Sequence, residues 1–286
     1  MTIGLRSHKV RVVQLIRFII LTISTILWLV PILWIVITSV KPENQILELP
    51  PRWFPNQLSD FTVAHYFYVL FEPRRLSIGR AFLNTTILCA IIPTLTVIIC
   101  TCAAYAFARL QFPGQNVLFA ILVLAMILPG QIILLPNFVT CWRFGWLDTY
   151  HAIIWPALAG PASVFMMRQF MLGIPIELEE AARIDGCNRL GIFLRVDLPL
   201  VKGAILTQFF FSFLGTWNSF MWPLIVLNDL QKMTLPVALA LLQGTYWSEY
   251  GKLMACAVVS AVPPSLLFVF GQKLIIQSIT LTGLKG

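Results

Sequence analysis

Six stretches of this chain stay apolar for long enough to cross the hydrocarbon core of a bilayer, which takes roughly 20 helical residues. They run at about 18–39, 81–107, 117–140, 151–167, 204–227 and 253–271, with no Asp, Glu, Lys or Arg in the interior of any. The rest of the composition agrees. Hydrophobic residues make up 58% of the 286 and charged residues 11%, against about 25% charged in soluble domains. The fourth stretch is the shortest and is interrupted by Pro156, Gly160 and Pro161. Prolines do not veto a membrane helix, because neighbouring segments re-satisfy the freed backbone groups. The expected fold class is therefore all-α, a polytopic membrane protein of six transmembrane helices.

Charge near the ends of the runs sets the expected orientation. Arg6, Lys9, Arg11 and Arg17 precede the first run, and Arg168, Arg183, Arg189, Arg195 and Lys202 flank the loop between the fourth and fifth. Acids nearly cancel the bases of the alternate loops. Both termini are thus expected in the cytosol. Residues 1–17 form a cytoplasmic N-terminus and 18–286 a single transmembrane domain, with loop 173–203 inside and 40–79 outside. The first run exceeds the apolar core of a secretory signal and no small-x-small site follows it, so it reads as an uncleaved span.

Several function classes fall away. Cys89, Cys100, Cys102, Cys141, Cys187 and Cys256 are scattered without a C-x-x-C pair, and the three histidines stand far apart, so no metal site is expected. The Gly251–Lys252 dipeptide leads into Leu253 rather than the Ser or Thr of a phosphate loop. No ionisable nucleophile–base pair lies within a span, so an enzyme is not expected. Proton-coupled transport would ordinarily keep a carboxylate or histidine there. The net charge of +8 reads as orientation signal and attraction to anionic lipid, not as a nucleic-acid footprint.

One polar segment interrupts this apolar chain, "ELEEAARIDGCNRLGIFLRVDLPL" at 177–200. Pro175 suits the first turn of a short helix, and Glu177, Glu179 and Glu180 complement its positive end. Gly186 supplies a left-handed stop. Glu179 and Arg183 stand four apart in the order that favours an ion pair. Ala181 and Ala182 keep one side thin enough for a partner's close approach. A second helix is expected over 189–196. Local physics by itself favours a solvated amphipathic loop lying on the membrane surface.

The run "EEAARIDGCNRLGIFLRVDLPL" resembles the EAA motif of ABC-importer permeases, with Glu-Ala-Ala, Asp-Gly, Phe and Leu-Pro at the family's distances. Gly203 stands where many members have another proline. "SVKPENQILELPPRWFP", "AYAFARLQFPGQN", "LDTYHAIIWPAL", "GTWNSFMWPLIVLND" and "LTGLKG" are similar to the carbohydrate-uptake branch, specifically its maltose-permease-like second subunit. The resemblance implies a type I importer permease fold in a bacterial plasma membrane. It implies a heterodimer with a second homologous permease, two cytosolic ABC ATPases that bind ATP and Mg, and a periplasmic or lipid-anchored sugar-binding protein. No cofactor is expected in this chain. Glu179, Glu180, Ala181, Ala182, Arg183, Asp185 and Gly186 would couple to the ATPase. The expected cargo is a di- or oligosaccharide or related glycoside. The alternatives are glycerol 3-phosphate or its diesters, or a membrane protein that docks an ATPase without conducting.

Sugar needs paired donors and acceptors plus an aromatic face. Candidates for the path are Asn84, Gln131, Trp217, Asn218 and Trp222, with Thr216 and Ser219 beside them. Each has a plainer role, since an asparagine also glues helices together and a tryptophan also anchors at the interface. For Tyr246, Trp247 and Tyr250 in "QGTYWSEYGK" the resemblance implies contact with the binding protein, and an aromatic belt seated at the headgroups serves them at least as well.

Overall fold

The computed structural model describes residues 3–71, 77–158, 160–245 and 249–283, with side chains described over 13–71, 77–158, 160–242 and 249–272. Among the described residues there is no strand. The helices are α1 (Ile3–Ser39), α2 (Glu43–Ile46), α3 (Ala64–Phe71), α4 (Ile78–Arg109) and α5 (Gln115–Ala125). There follow α6 (Gly130–Arg143), α7 (His151–Ala157), α8 (Pro161–Leu172), α9 (Ile176–Ile184) and α10 (Arg189–Ile192). The chain ends with α11 (Leu198–Leu200), α12 (Lys202–Trp217), α13 (Met221–Val226), α14 (Leu235–Thr245) and α15 (Tyr250–Gly283).

Three helical stretches are long and apolar enough to cross a membrane, Val13–Ser39, Ile78–Arg109 and Tyr250–Gln272. Two helix pairs pass the same test jointly but are bent, by 106° between α5 and α6 and by 71° between His151–Leu172 and α9. By length and composition the described helices offer three spans, or up to five if each bent pair is one; all six expected runs lie on helices, three of them interrupted. The interruptions have local causes. The run 117–140 breaks before Gly130, where Pro129 takes an extended ψ of 134° at the start of α6. The run 204–227 stops at Trp217 and resumes at Met221. There the Asn218 side-chain amide and its backbone N–H both donate to Leu214 O, at 2.9 and 3.1 Å, closing the end of α12.

The chain divides into two compact units, Met1–Glu72 with Leu242–Ser260, and Pro73–Leu241 with Ala261–Gly286. In the first, α1 presents bare hydrocarbon, with Trp28 74% and Phe18 69% exposed. A polar knot follows it. Buried Lys41 donates to Arg52 O at 2.8 Å, and His65 Nε2 lies 2.9 Å from Lys41 O. The Glu43 carboxylate accepts from Gly251 N at 3.0 Å. A side chain at Gly251 would drive its Cβ to 2.5 Å from the His65 ring.

The second unit is built around α4, with α8 and α12 against it. Its core joins Cys100 and Ala104 of α4, Val164, Met167 and Met171 of α8, and Ala204 of α12. The small residues let the backbones approach closely, which is how helices associate where lipid removes the hydrophobic driving force. Far along α4 the Asn84 amide donates to Gln231 O and Met233 O at 2.9 and 3.0 Å, and Thr85 Oγ1 accepts from Leu235 N at 2.7 Å. Asp148 ties the neighbouring turns, its carboxylate accepting from Asn228 N, Asp229 N and Lys232 Nζ, each at 2.9 Å.

Asn84→Ala leaves two carbonyls without their donor and should cost about 1–3 kcal/mol. Thermal unfolding in detergent should show the loss, whereas Thr86→Ala, on the exposed face of the same helix, should leave the midpoint unchanged.

Candidate functional site

The segment 173–203 is set by local chemistry at each of its corners. Pro175 precedes α9 with ψ 131°, and Glu177 and Glu179 occupy the first turn. At the other end Gly186 adopts φ +87°, as its position in the sequence predicts. Its N–H bonds to Arg183 O at 3.1 Å while Cys187 N bonds to Ala182 O at 3.0 Å, a pair that closes the helix with a left-handed residue. Asn188 caps the next turn by accepting from Gly191 N at 2.7 Å. In place of one helix over 189–196, α10 ends at Ile192 and gives way to a single π turn, Phe193–Asp197.

Glu179 is not a partner of Arg183. It is 3% exposed and forms an ion pair with Arg109 at the end of α4. The same guanidinium donates to Met171 O and Ile174 O at 2.8 and 2.7 Å. One arginine thus joins the end of α4, the end of α8 and the start of α9. Pairing with Arg109 wins over the i,i+4 pairing because an exposed pair gains little, whereas a buried carboxylate without a cation is costly. Of the expected coupling residues, Glu180, Ala181, Arg183, Asp185 and Gly186 are exposed, Ala182 is half-buried and Glu179 faces inward. Ile184, which the charge pattern gave no reason to single out, is 87% exposed, and Leu190 is 62% exposed.

Behind the same pair lies Asp197, fully buried, with neither carboxylate oxygen hydrogen-bonded among the described residues. Burial pushes its carboxyl up to about 6. The negative charge of Glu179 acts in the same direction and the Arg109 guanidinium acts against it. Tyr105 closes this corner, donating to Arg189 O at 3.2 Å and packing 4.7 Å from the Phe193 ring.

The expected path residues separate into two groups. Trp222 lines a cavity of about 330 Å³ among α4, α7, α8, α12 and α13, together with Thr216 and Ser219. Asn84, Gln131, Trp217 and Asn218 are not among its lining. Asn84 serves the backbone at 231–233, and Asn218 closes α12. Trp217 is 3% exposed and packs against Phe82 and Phe213, with centroids at 5.7 and 5.8 Å. Gln131 stands exposed as the second residue of α6. Thr96, Ser163 and Ser212 complete the polar lining, and none was singled out from sequence. A signal existed, for Ser212, Gly215, Thr216 and Ser219 recur at i, i+3, i+4 and i+7, one helical face. Tyr246 and Trp247 lie outside the described residues, and Tyr250 opens α15 half-buried. No group of three or more metal-ligating side chains occurs among the described residues.

Asp197 gives a signed pH dependence. The folded chain holds its proton up to about pH 6, whereas an unfolded aspartate, with the ordinary value of 3.8, has already lost it. The folded state thus binds more protons between those values, and stability falls as pH rises through that window. Asp197→Asn should raise the unfolding midpoint at pH 7.5 and match the parent chain at pH 3.5. Melting curves in detergent at both pH values check this.

Comparison with known proteins agrees with this architecture. The chain is 33% identical over 258 residues to the arabinooligosaccharides transport system permease protein AraQ of Halalkalibacterium halodurans, covering 90% of this chain and 91% of that one. It is 30% identical over 268 residues to the trehalose/maltose transport system permease protein MalG of Thermococcus litoralis, covering 92% and 94%. Its fold matches a chain of a bacterial ABC transporter involved in the import of the acidic polysaccharide alginate, with a TM-score of 0.77, 23% identity and coverage of 92% and 96%. Residues 96–281 match the model of the binding-protein-dependent transport system inner membrane components. Membrane-length apolar helices, a polar segment closed by Gly186 and these full-length likenesses converge: the chain belongs to the binding-protein-dependent transport system inner membrane component family.

Proposed function

We propose that this chain is one of two permease subunits of an ATP-driven importer of saccharides, supplying half of the translocation path. The observation that carries the reading is full-length similarity to permeases named for arabinooligosaccharide and trehalose/maltose transport. The segment 173–203 is the surface that meets a cytosolic ATPase. In support, it exposes Glu180, Ala181, Arg183 and Asp185 beside the apolar Ile184 and Leu190, and an apolar anchor within a polar rim is how docking surfaces are built. Glu179 then acts through Arg109, positioning α9 rather than touching the partner. The remaining partners are a second homologous permease, a second ATPase subunit and a sugar-binding protein on the outer side. ATP and Mg belong to the ATPase, so the chain itself is a transport component and not a catalyst. Both termini lie in the cytosol of a bacterium, and 40–79 lies outside.

Two experiments test this. In the assembled importer, Glu180→Lys, Ala181→Trp and Gly186→Val should each lower uptake and ATPase co-purification several-fold while the binding protein keeps its affinity for sugar. Gly186→Val acts through the backbone, since a β-branched residue at φ +87° costs about 1–3 kcal/mol. Normal uptake in all three would remove the docking role. For orientation, single cysteines at exposed Gln57 and Ile184 in a cysteine-free chain should differ in intact spheroplasts. An impermeant thiol reagent should label position 57 only, and labelling of 184 alone would invert the topology.

A further inference from the structure

The cavity of about 330 Å³ lies at the small end of ligand sites, which span roughly 300–1,000 Å³. Its polar lining consists of hydroxyls. Ser212, Thr216 and Ser219 recur along one face of α12 and just past its end, Ser163 faces them from α8, and Thr96 contributes from α4. The Thr96 hydroxyl lies in this wall, on a residue 3% exposed, and has no hydrogen-bond partner among the described residues. Burying a hydroxyl without a partner is costly, so a small shift of the wall that bared it to an entering hydroxyl would be favoured. An aromatic wall is held in place beside it, for Trp222 Nε1 donates to Ala152 O at 2.8 Å. That bond uses the indole donor and fixes the ring, leaving its apolar face for a sugar ring's C–H surface. Backbone openness comes from Gly215, where an added Cβ would meet nothing within 4 Å.

The lining carries no charged side chain. Two basic groups on the same helices are committed elsewhere. Arg168 donates to Phe107 O at 3.0 Å with its guanidinium 4.0 Å from the Phe119 ring centroid, and Arg109 pairs with Glu179. An anion entering this cleft would lose water without gaining the Arg or Lys partner that carboxylate and phosphate recognition uses.

We propose that this cleft is a sugar-contacting site on the translocation path that takes a short uncharged glycan and disfavours uronate and phosphate groups. The inference rests on the importer reading above. The fold likeness to a chain of an alginate importer concerns the backbone, whereas the lining of this cleft is what a substrate meets.

The test uses the assembled importer in proteoliposomes with its binding protein. Labelled probes are neutral disaccharides (maltose, trehalose, cellobiose, arabinobiose), a size-matched diuronate and glycerophosphoglycerol. The parent importer should take up at least one neutral disaccharide and neither anion. Gly215→Leu, which fills the cleft, should reduce that uptake at least ten-fold while the variant still co-purifies with its partners. Thr96→Val should raise the half-saturating disaccharide concentration several-fold. Trp222→Ala should do the same, and Trp222→Phe should restore most of the loss. If Gly215→Leu does not assemble, Gly215→Ala and Thr96→Val carry the decision. Neutral uptake that these variants leave unchanged would overturn the cleft and leave the importer reading standing. Uptake of the diuronate or the phosphodiester as well as the disaccharide would overturn the neutral preference. Failure to take up any saccharide would overturn the importer reading itself.

Discussion

A peptide group in hydrocarbon has no water to bond, so each N–H and C=O within the apolar part of this chain must find a partner in the protein. Helix satisfies most of them, and the interesting places are where helix stops. At Asn218 the side chain doubles the last bond of α12, donating to the same Leu214 O as its own backbone N–H. The connection through Gln231–Leu235 is met by Asn84 and Thr85, reaching across from α4. The carbonyls at the end of α8 are met by Arg109. Several polar residues among the greasy helices of the second unit thus answer a particular break, and a group of hydroxyls gathers at the cleft.

Much of this was legible in advance because it depends on short-range pattern. Runs without charge mark apolar helices by composition alone. The left-handed stop at Gly186 follows from helix periodicity and one residue type. The family resemblance rests on motifs of fixed spacing. The pairing of Glu179 was not legible, since the sequence shows Arg183 one turn away and conceals Arg109, which only the packing of α4 brings close. The breaks inside 117–140 and 204–227 were hidden for a similar reason. Pro129 permits both a kink and a full break, and Asn218 both a helical turn and a stop, and tertiary contacts decide between them.

The cleft was half legible. "TWNS" draws the eye to Trp217 and Asn218, yet those two are turned to packing and capping while Thr216 and Ser219 line the cavity. Adjacent residues on a helix point in different directions, so a cluster in sequence is a poor guide to a cluster in space. The stripe at i, i+3, i+4 and i+7 was the better guide. Ser163 and Thr96, on other helices, needed the fold.

α4 also has a mechanical consequence. Arg109 fastens one end of it to α8 and α9, and Asn84, near the other end, holds the segment 231–233. At 1.5 Å per residue the two anchors are separated by about 38 Å along a single helix. Thr96 and Ile92, on the wall of the cleft, lie between them. Such a helix is a lever. If it stays straight through Pro93, a tilt of about 5° about one anchor carries the other roughly 3 Å, and the cleft wall moves by an intermediate amount. A push on α9 that tilted this helix as one body would change the width of the cavity, with no local rearrangement required at either place.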